Sequence, residues 1–267
     1  MKYAVLGCGR MGRALIRGMI SSGLTTGQDV IISSRTPQSA SQTASLLGTR
    51  FADTNASALD HADVVFLCVK PALALEVIAG VAKQLRGKLL LSIVTGIHSA
   101  DLRKASEDGA RIIRAMPNTA VRLRKGITAI APDASATQED QALALRIFSS
   151  VGTAIEVREK DLDAVTAVSG SGPAFALLML ESLAQGGIEG GLAPDTAKAF
   201  AAGALSAAAS LVMETGETPL ALRTEITSPG GTTAAGLQVL TDSDFPNIVR
   251  DAVSAARHRA AELSAKG

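Results

Sequence analysis

A glycine-rich segment near the N-terminus has the residue spacing that binds dinucleotide phosphates. Gly7, Gly9 and Gly12 form a Gly-x-Gly-x-x-Gly pattern between a short apolar run and a helix-like segment. In that context Gly7 allows a tight turn, Gly9 lets the backbone approach a pyrophosphate, and Gly12 permits close packing of helix on strand. The helix N-terminus favours the anion, because its first N–H groups have no partner within the helix. We therefore predict a dinucleotide site at this loop.

The residues after the second predicted strand favour NADPH over NADH. An NAD-preferring site usually has Asp or Glu there for the ribose 2′-OH, whereas this chain has Ser34, Arg35 and Thr36. The planar guanidinium of Arg35 can pair with a 2′-phosphate, and the two hydroxyls can add donors. The alternative, in which Arg35 is a solvated loop cation, stays open.

Two later strand ends carry polar groups on the side of a parallel sheet where ligands bind. Val69, Lys70 and Pro71 end one predicted strand, and Asn118 with Thr119 follows another. Lys70 is either a contact to the dinucleotide or an ordinary surface charge, and the sequence leaves both open. Asn118 and Thr119 can hydrogen-bond the nicotinamide end, although the local pattern alone is that of a polar turn.

The segment from Ser228 to Thr233 combines glycines and hydroxyls just before a helix-like run. Gly230 and Gly231 can turn successive N–H groups inward as an anion-binding nest. Thr232 or Thr233 can cap the helix or offer a hydroxyl to a ligand, and a bound carboxylate would gain charge-assisted hydrogen bonds. Taken alone, the same segment also fits a plain glycine turn with a helix cap.

Composition excludes several other kinds of chemistry. The 267 residues carry 26 basic and 25 acidic side chains, and this balance argues against a nucleic-acid protein and a polybasic membrane anchor. Tyr3 is the one tyrosine, and position 7 is glycine, so a Tyr-x-x-x-Lys catalytic pair is absent. Cys8 and Cys68 cannot form a disulfide framework or a zinc site of thiolates alone, and we interpret both as packing residues. We expect no metal site.

The chain also lacks an uninterrupted apolar run long enough to cross a membrane. Its N-terminal apolar run is too short for a signal-peptide core, and glycines interrupt it. We therefore expect no membrane-spanning helix and a cytoplasmic location.

Short apolar runs alternate with helix-like segments through the first part of the chain, which predicts βαβ units and a doubly wound α/β sheet. The predicted strands are Tyr3–Leu6, Val30–Ser33, Val64–Val69, Leu89–Val94, Ile112–Ala115 and Thr128–Ala131. The predicted helices between them are Met11–Ser22, Gln38–Leu47, Leu73–Gln84 and Gln138–Ser150.

After residue 160 the sequence predicts helices and no strand, so we divide the chain into domains 1–160 and 161–267. The Ala- and Leu-rich segments Pro173–Gly186, Pro194–Glu214 and Phe245–Ala265 favour helices, and Ser169–Pro173 is expected to be a small-residue loop. Residues 201–209 are small and apolar nearly all round, and such a helix is normally buried. A small helical domain has limited means to bury it alone. We infer that a second subunit covers it in a homodimer, with an internal core helix as the alternative.

These segments together resemble the pyrroline-5-carboxylate reductase family, in the family's order and over nearly the whole chain. The matching segments are Gly7–Gly12, Ser34–Arg35, Val69–Pro71, Met116–Thr119, Asp163–Phe175 and Ser228–Thr233. The resemblance implies a Rossmann-like N-terminal domain followed by an all-α dimerisation domain, and dimers that can assemble further into rings. The implied reaction is the reduction of L-1-pyrroline-5-carboxylate to L-proline by NAD(P)H, the last step of proline biosynthesis. NADPH is expected to be preferred and NADH to be accepted less well.

The resemblance also implies roles for particular residues. Thr233 matches the family's substrate threonine and would hydrogen-bond the ring nitrogen, which makes it the predicted catalytic residue. The adjacent loop of Ser228, Gly230, Gly231 and Thr232 would hold the substrate carboxylate, and Glu159 matches an acidic position near the ligands. The predicted cofactor contacts are Leu6, Gly7, Cys8, Gly9, Arg10, Met11, Gly12, Ser34, Arg35, Asn55, Val69, Lys70, Pro71 and Asn118.

The chain departs from the family pattern at Ala120, where proline is usual, and at Glu225, where an uncharged amide can occur. The extra negative charge of Glu225 keeps open a related reductase of another cyclic imine. A β-hydroxyacid dehydrogenase would need a catalytic Lys with an Asn four residues later, whereas Lys198 is followed at that spacing by Ala202. A non-catalytic NADP(H)-binding regulator is the remaining alternative, and the intact Ser228–Thr233 segment argues against it.

Overall fold

The computed structural model describes residues 1–264 and divides the chain into two units. Met1–Gly170, together with the described part of Ala256–Gly267, is called the sheet unit, and Ser171–Ala255 is called the helical unit. The sequence-based boundary between residues 160 and 161 follows a change in composition rather than contacts, and it stays a prediction.

The sheet unit contains one mixed sheet. Its strands are β1 (Tyr3–Leu6), β2 (Val30–Ser33), β3 (Arg50–Phe51), β4 (Val64–Leu67), β5 (Leu89–Ser92), β6 (Arg111–Pro117), β7 (Gly126–Pro132) and β8 (Gly152–Glu156). They lie in the order β3-β2-β1-β4-β5-β6-β7-β8, with every neighbouring pair parallel except β6 and β7. A parallel pair needs a crossover of a dozen or more residues. The short turn between β6 and β7 contains only a 3-10 helix, Thr119–Leu123, so β7 must run antiparallel.

Helices cover both faces of this sheet. They are α1 (Arg10–Ser21), α2 (Pro37–Leu47), α3 (Asn55–Leu59), α4 (Ala74–Ala79), α5 (Ala82–Leu85), α6 (Ser99–Ala105), α7 (Gln138–Ser149) and α8 (Leu162–Val165). Successive strand residues point to opposite faces. Accordingly Val5 shares one apolar cluster with Leu15 of α1, whereas Leu6 shares another with Leu102 of α6. Burial on both faces explains why the central strands are apolar throughout.

The helical unit is built from longer helices. They are α9 (Gly172–Glu189), α10 (Pro194–Thr215), α11 (Pro219–Glu225), α12 (Thr232–Asp242) and α13 (Phe245–Ser264), whose last residues belong to the sheet unit. Pro194 stands in the first turn of α10, where its missing N–H needs no partner. This arrangement confirms the predicted α/β fold followed by a helical region.

The helices of this unit leave much apolar surface uncovered. No residue of α9 is buried, and only Ala197 and Ala201 are buried in α10. Phe200 is 68% exposed and Met213 is 77% exposed. By length and composition alone, Glu159–Glu189 and Pro194–Thr215 could each span a membrane, which by itself is weak evidence for a membrane segment. Neither segment is an uninterrupted apolar run, because polar and charged residues are scattered along both.

Several local predictions were wrong. Leu73–Gln84 is two helices, α4 and α5, separated at Gly80–Val81. The predicted loop Ser169–Pro173 is helical, since a π-helical stretch, Thr166–Ser171, leads directly into α9. Strands β3 and β8 were not predicted, and the sheet is not parallel throughout.

Candidate active site

The carboxyl ends of β1, β2 and β4 meet where the strand order reverses. β1 pairs with β2 on one side and with β4 on the other. In open α/β sheets, ligands bind in the crevice outside such a reversal. The structure therefore brings together the loop Gly7–Gly12, the pair Ser34–Arg35 and the turn Val69–Pro71.

The three glycines of the first loop do different things. Gly7 has φ +75°, and a Cβ placed on it would lie 2.5 Å from the Val69 Cγ1 atom. Gly9 has open space around the position of a Cβ, with no atom within 4 Å. A Cβ on Gly12 would lie 3.2 Å from the Cβ of Cys68, so α1 packs closely on the end of β4. Only Gly9 faces room for a ligand, while the other two shape the loop.

The backbone N–H groups at the N-terminus of α1 can bind an anion. Gly9 is its cap and supplies no side-chain hydrogen bond, and the first turn contains no acidic residue. Arg10 is exposed and Met11 is half-buried. The first N–H groups of α1 and the positive end of its dipole therefore favour a phosphate here.

The end of β2 is tied to this loop by hydrogen bonds. The Gly7 N–H donates to the Ser33 carbonyl over 3.0 Å, and the buried Ser33 hydroxyl donates to Asn55 Oδ1 over 2.8 Å. Asn55 is the first residue of α3 and is half-buried. Its Oδ1 atom is thus used within the protein, which leaves its amide group to donate to a ligand.

The side chains after β2 are more accessible. Ser34 is half-buried and Arg35 is exposed. Thr36 caps α2 by accepting a hydrogen bond from the Ser39 N–H over 3.3 Å, so its hydroxyl serves the fold. Lys70 is also exposed and precedes the 3-10 helix that starts at Pro71. Within residues 1–264, neither Arg35 nor Lys70 takes part in an ion pair with the protein.

Asn118 has a structural role that the sequence did not reveal. It is 8% exposed, and its Oδ1 atom accepts hydrogen bonds from the N–H groups of Ala120, over 3.2 Å, and Ile127, over 3.3 Å. These bonds shape the turn between β6 and β7. Proline at position 120 would lack the first of these N–H donors, so Ala120 is compatible with this turn. A contact from Asn118 to the nicotinamide stays a prediction for its amide group.

The substrate-binding candidates Ser228–Thr233 lie in the helical unit. Gly230 has φ +70°, and Gly231 caps α12 without a side-chain hydrogen bond. The Gly231 N–H donates to the Ser228 carbonyl over 3.1 Å, which closes a tight turn. Thr232 and Thr233 are the first two residues of α12 and are exposed, and the first turn has no acidic residue. This helix N-terminus can receive a carboxylate.

Glu159 belongs to the sheet unit and has protein partners there. Its Oε1 atom accepts hydrogen bonds from the Ser99 N–H, over 2.7 Å, and from Arg114 Nη1, over 2.8 Å. His98 Nδ1 lies 3.9 Å from the same oxygen. Burial raises the pKa of Glu159, but these two hydrogen bonds outweigh it and hold the pKa below the usual value for glutamate. Arg114 has no local sequence signal for this role, because its partner Glu159 is 45 residues away along the chain.

Both cysteines lie at the glycine loop as unpaired thiols. Each sulfur would contact a Cβ placed on Gly12, Cys68 Sγ at 3.4 Å and Cys8 Sγ at 3.5 Å. Burial raises the pKa of Cys8 to about 12 and raises the pKa of Cys68 well above its ordinary value. Such thiols remain protonated at neutral pH and pack as small apolar groups.

Comparisons with known proteins match both parts of the chain. A family model described as pyrroline-5-carboxylate reductase dimerisation matches residues 159–263, and one described as NADP oxidoreductase, coenzyme F420-dependent, matches residues 2–96. The dimerisation model covers α9 and α10, whose apolar surface is exposed in one chain. The predicted homodimer is thereby confirmed.

Two solved structures align with nearly the whole chain. A pyrroline-5-carboxylate reductase from Coxiella burnetii aligns with a TM-score of 0.91 at 30% identity, over 98% of each chain. A Plasmodium falciparum pyrroline carboxylate reductase with NADP bound aligns with a TM-score of 0.87 at 28% identity, over 99% of this chain and 98% of that chain.

Relatives of known identity extend over the full length of the chain. Curated pyrroline-5-carboxylate reductases are 35% identical over 266 residues in Methanosarcina acetivorans and 33% identical over 264 residues in Escherichia coli. The alignments cover 99% and 98% of this chain, respectively, and 98% of each relative. An identity of this size, sustained from end to end, means that the chain belongs to the pyrroline-5-carboxylate reductase family.

Proposed function

We propose that this protein reduces L-1-pyrroline-5-carboxylate to L-proline and that it prefers NADPH as the reductant. The observation that carries the proposal is the glycine loop at the head of α1, where Gly9 alone leaves open space beside uncapped N–H groups. That geometry suits a pyrophosphate. The family model that matches this part of the chain describes an NADP oxidoreductase, which uses a nicotinamide cofactor.

The proposed cofactor contacts fall into two groups, one for each half of the dinucleotide, at the carboxyl ends of the strands. The backbone from Leu6 to Gly12 would hold the pyrophosphate, and residues at the end of β2 would hold the adenosine half. There the exposed guanidinium of Arg35 pairs with the 2′-phosphate, while Ser34 and Asn55 donate hydrogen bonds. The preference for NADPH follows, because NADH offers no phosphate to Arg35.

Residues at the ends of β4 and the strands beyond it would hold the other half of the cofactor. Val69, Lys70 and Pro71 line the wall at the end of β4, with Lys70 exposed and able to reach the dinucleotide. The amide group of Asn118 is the candidate donor to the nicotinamide.

The substrate is an imine with a carboxylate, and each group has a candidate partner. Backbone N–H groups at Gly231, Thr232 and the start of α12 hold the carboxylate, and Ser228 and Gly230 shape that turn. The Thr233 hydroxyl hydrogen-bonds the ring nitrogen. When bound, reduced nicotinamide supplies the hydride, which adds to the imine carbon while the nitrogen becomes an amine. Because a protonated imine is already a good hydride acceptor, the residues mainly orient the reactants.

The same family assignment supports a proposal for the assembly and the location. The homodimer covers the apolar faces of α9 and α10, and we infer that dimers join further into a ring. We infer a cytoplasmic location and expect neither nucleic acid nor a membrane as a partner.

Turnover by the purified protein tests the proposal. NADPH oxidation is followed with L-1-pyrroline-5-carboxylate, beside NADH and a substrate-free blank, and proline is identified as the product. We expect proline with both cofactors and a higher kcat/KM for NADPH. Tight NADPH binding without turnover would contradict the proposal and favour another cyclic imine or a regulator. Equal kcat/KM values would refute only the cofactor preference.

Thr233 has a direct test. We expect Thr233→Ala to lower kcat/KM by more than about tenfold, or ~1.4 kcal/mol, because the ring nitrogen loses its hydrogen-bond partner. Thr232→Ala is the matched control, since its neighbouring hydroxyl is also exposed but only its backbone is assigned to the carboxylate. Equal kinetics for the two variants would remove Thr233 from the mechanism.

A further inference from the structure

Arg114 is a buried cation within the sheet. It lies in β6, is 5% exposed, and follows Ile112 on the face covered by α6. A buried charge is tolerated only when it is paired and hydrogen-bonded. Glu159 supplies the pair over 2.8 Å from the 3-10 helix Glu159–Asp161, which precedes α8. The ion pair therefore ties β6 to the segment where the match to the dimerisation model begins.

The same carboxylate also holds the start of α6. Its Oε1 atom accepts the Ser99 N–H over 2.7 Å, and Ser99 is the first residue of that helix. His98, the cap residue, contributes no side-chain hydrogen bond of its own. Glu159 thus takes the place of a cap and complements the positive end of the helix dipole.

The segment held in this way is the loop of residues 93–98 between β5 and α6. Its middle is fixed as well, because Gly96 has φ +82° and a Cβ there would lie 3.1 Å from the backbone of Leu263. The Thr95 hydroxyl donates to Met116 Sδ over 3.8 Å. The loop therefore has a defined position at the carboxyl ends of β5 and β6.

We propose that Glu159 is a positioning residue for hydride transfer, acting through Arg114 and the 93–98 loop and not by touching the substrate. This inference rests on the proposed function. By the contacts proposed above, the glycine loop and Arg35 would hold the adenosine half of the cofactor, and residues at the ends of β4 and β5 would hold the nicotinamide half. There the 93–98 loop forms a wall. Displacement of that wall would misalign the ring while the phosphate contacts stay intact.

The test compares two carboxylates on one turn. Glu159→Gln keeps the shape of the side chain but loses the charge that pairs with Arg114. Asp161→Asn is the matched control, because Asp161 binds the exposed Arg158 over 2.7 Å and 3.1 Å and makes no bond to α6. We expect Glu159→Gln to lower kcat by about tenfold or more, since small misplacements are costly in hydride transfer. We expect Asp161→Asn to stay within about twofold of the parent.

Two further readouts separate positioning from other roles. With NADPH deuterated at the transferred position, the kinetic isotope effect on kcat should rise in Glu159→Gln, while KM for NADPH should change little. Amide hydrogen exchange of residues 93–99 should become faster in Glu159→Gln and not in Asp161→Asn. The exchange measurement needs no substrate, so it tests the inference even if the parent protein fails to reduce L-1-pyrroline-5-carboxylate, which would overturn only the proposed function.

Several results would overturn the inference. Unchanged exchange in residues 93–99 would show that the charge of Glu159 does not hold the loop. A loss confined to KM for the imine would make Glu159 a direct substrate ligand. If Glu159→Gln does not fold, Ser99→Pro removes only the N–H donor at a first-turn position that tolerates proline. An isotope effect and exchange equal to the parent in that variant would refute the positioning role.

Discussion

The glycine loop allows fold and cofactor binding to be separated by single substitutions. Gly7 needs its positive φ of +75°, and a methyl group there would meet the Val69 Cγ1 atom at 2.5 Å. Gly9 has φ −72° and open space, so alanine can adopt its backbone. We expect Gly7→Ala to destabilise the free protein, and Gly9→Ala to weaken NADPH binding while leaving the fold nearly unchanged.

The size of the Gly7→Ala effect follows from two terms. A left-handed backbone costs an alanine about 1–2 kcal/mol, and overpacking typically adds about 1–3 kcal/mol. The sum of about 2–5 kcal/mol corresponds to a fall in Tm of roughly 4–20 °C for a domain of this size. Adding Val69→Ala removes the atom that clashes, so the double variant should recover about 1 kcal/mol relative to additivity. The φ term would remain.

The Gly9→Ala effect has a different signature. Alanine is a poorer N-cap than glycine, which costs at most about 1 kcal/mol. The methyl group occupies the approach of the pyrophosphate, and we expect NADPH affinity to fall by at least about tenfold, or ~1.4 kcal/mol.

Thermal unfolding at one fixed protein concentration and titration of NADPH fluorescence measure the two effects. The chain has no tryptophan, which simplifies the fluorescence experiment. Wild-type stability in Gly7→Ala would refute the steric reasoning, and wild-type affinity in Gly9→Ala would mean that the phosphates bind elsewhere.

Three other predictions concern charge and thiol chemistry. Arg35→Ala should raise KM for NADPH by about fivefold or more and leave KM for NADH within about twofold of the parent value, because only NADPH carries the 2′-phosphate. Equal changes in both KM values, measured by steady-state kinetics, would show that Arg35 is a solvated cation. Burial raises the pKa of Asp140, but the hydrogen bonds from Arg111 and Thr137 outweigh burial and lower the pKa below its ordinary value. The ionised carboxylate therefore stabilises the fold at pH values above the ordinary pKa of aspartate, and this stabilisation is lost as the pH falls through the lowered pKa. Asp140→Asn should therefore be less stable at neutral pH and less sensitive to acid in denaturant titrations, and parallel curves for the two proteins would contradict this. Cys8 and Cys68 should react slowly with a thiol reagent near pH 8 in the folded protein and quickly once it is unfolded, because burial raises both pKa values; rapid labelling of the folded protein would refute their role as packing residues.

The predictable part of the fold was the part with a strong local signal. Each central strand is a short apolar run because both of its faces are buried, and the glycine spacing marked the loop between β1 and α1. The direction of β7 had no such signal, since an apolar strand looks the same whichever way it runs. β3 consists only of Arg50–Phe51, and both residues are exposed. It forms because the outer edge of β2 has backbone groups free to pair with it.

The site shows the same limit. Glycines and hydroxyls at the strand ends and before α12 were visible as patterns, and the structure places each at a turn or helix start. The bond from Asn118 to Ile127 and the pair of Glu159 with Arg114 were not visible, because each joins residues that are brought close only by the sheet. Sequence spacing predicts local geometry well, but it does not predict which distant group will accept a buried donor.

The uncovered faces of α9 and α10 also determine how the chain acquires its stability. With no buried residue in α9 and two in α10, a single chain gives these helices little core, and we expect the homodimer to supply it. Assembly is then a step of folding, so mass action makes Tm rise with protein concentration. In a newly synthesised chain the apolar surface of α9 and α10 stays exposed to solvent until a second copy binds. The rate of association therefore determines how long the chain is open to aggregation and proteolysis.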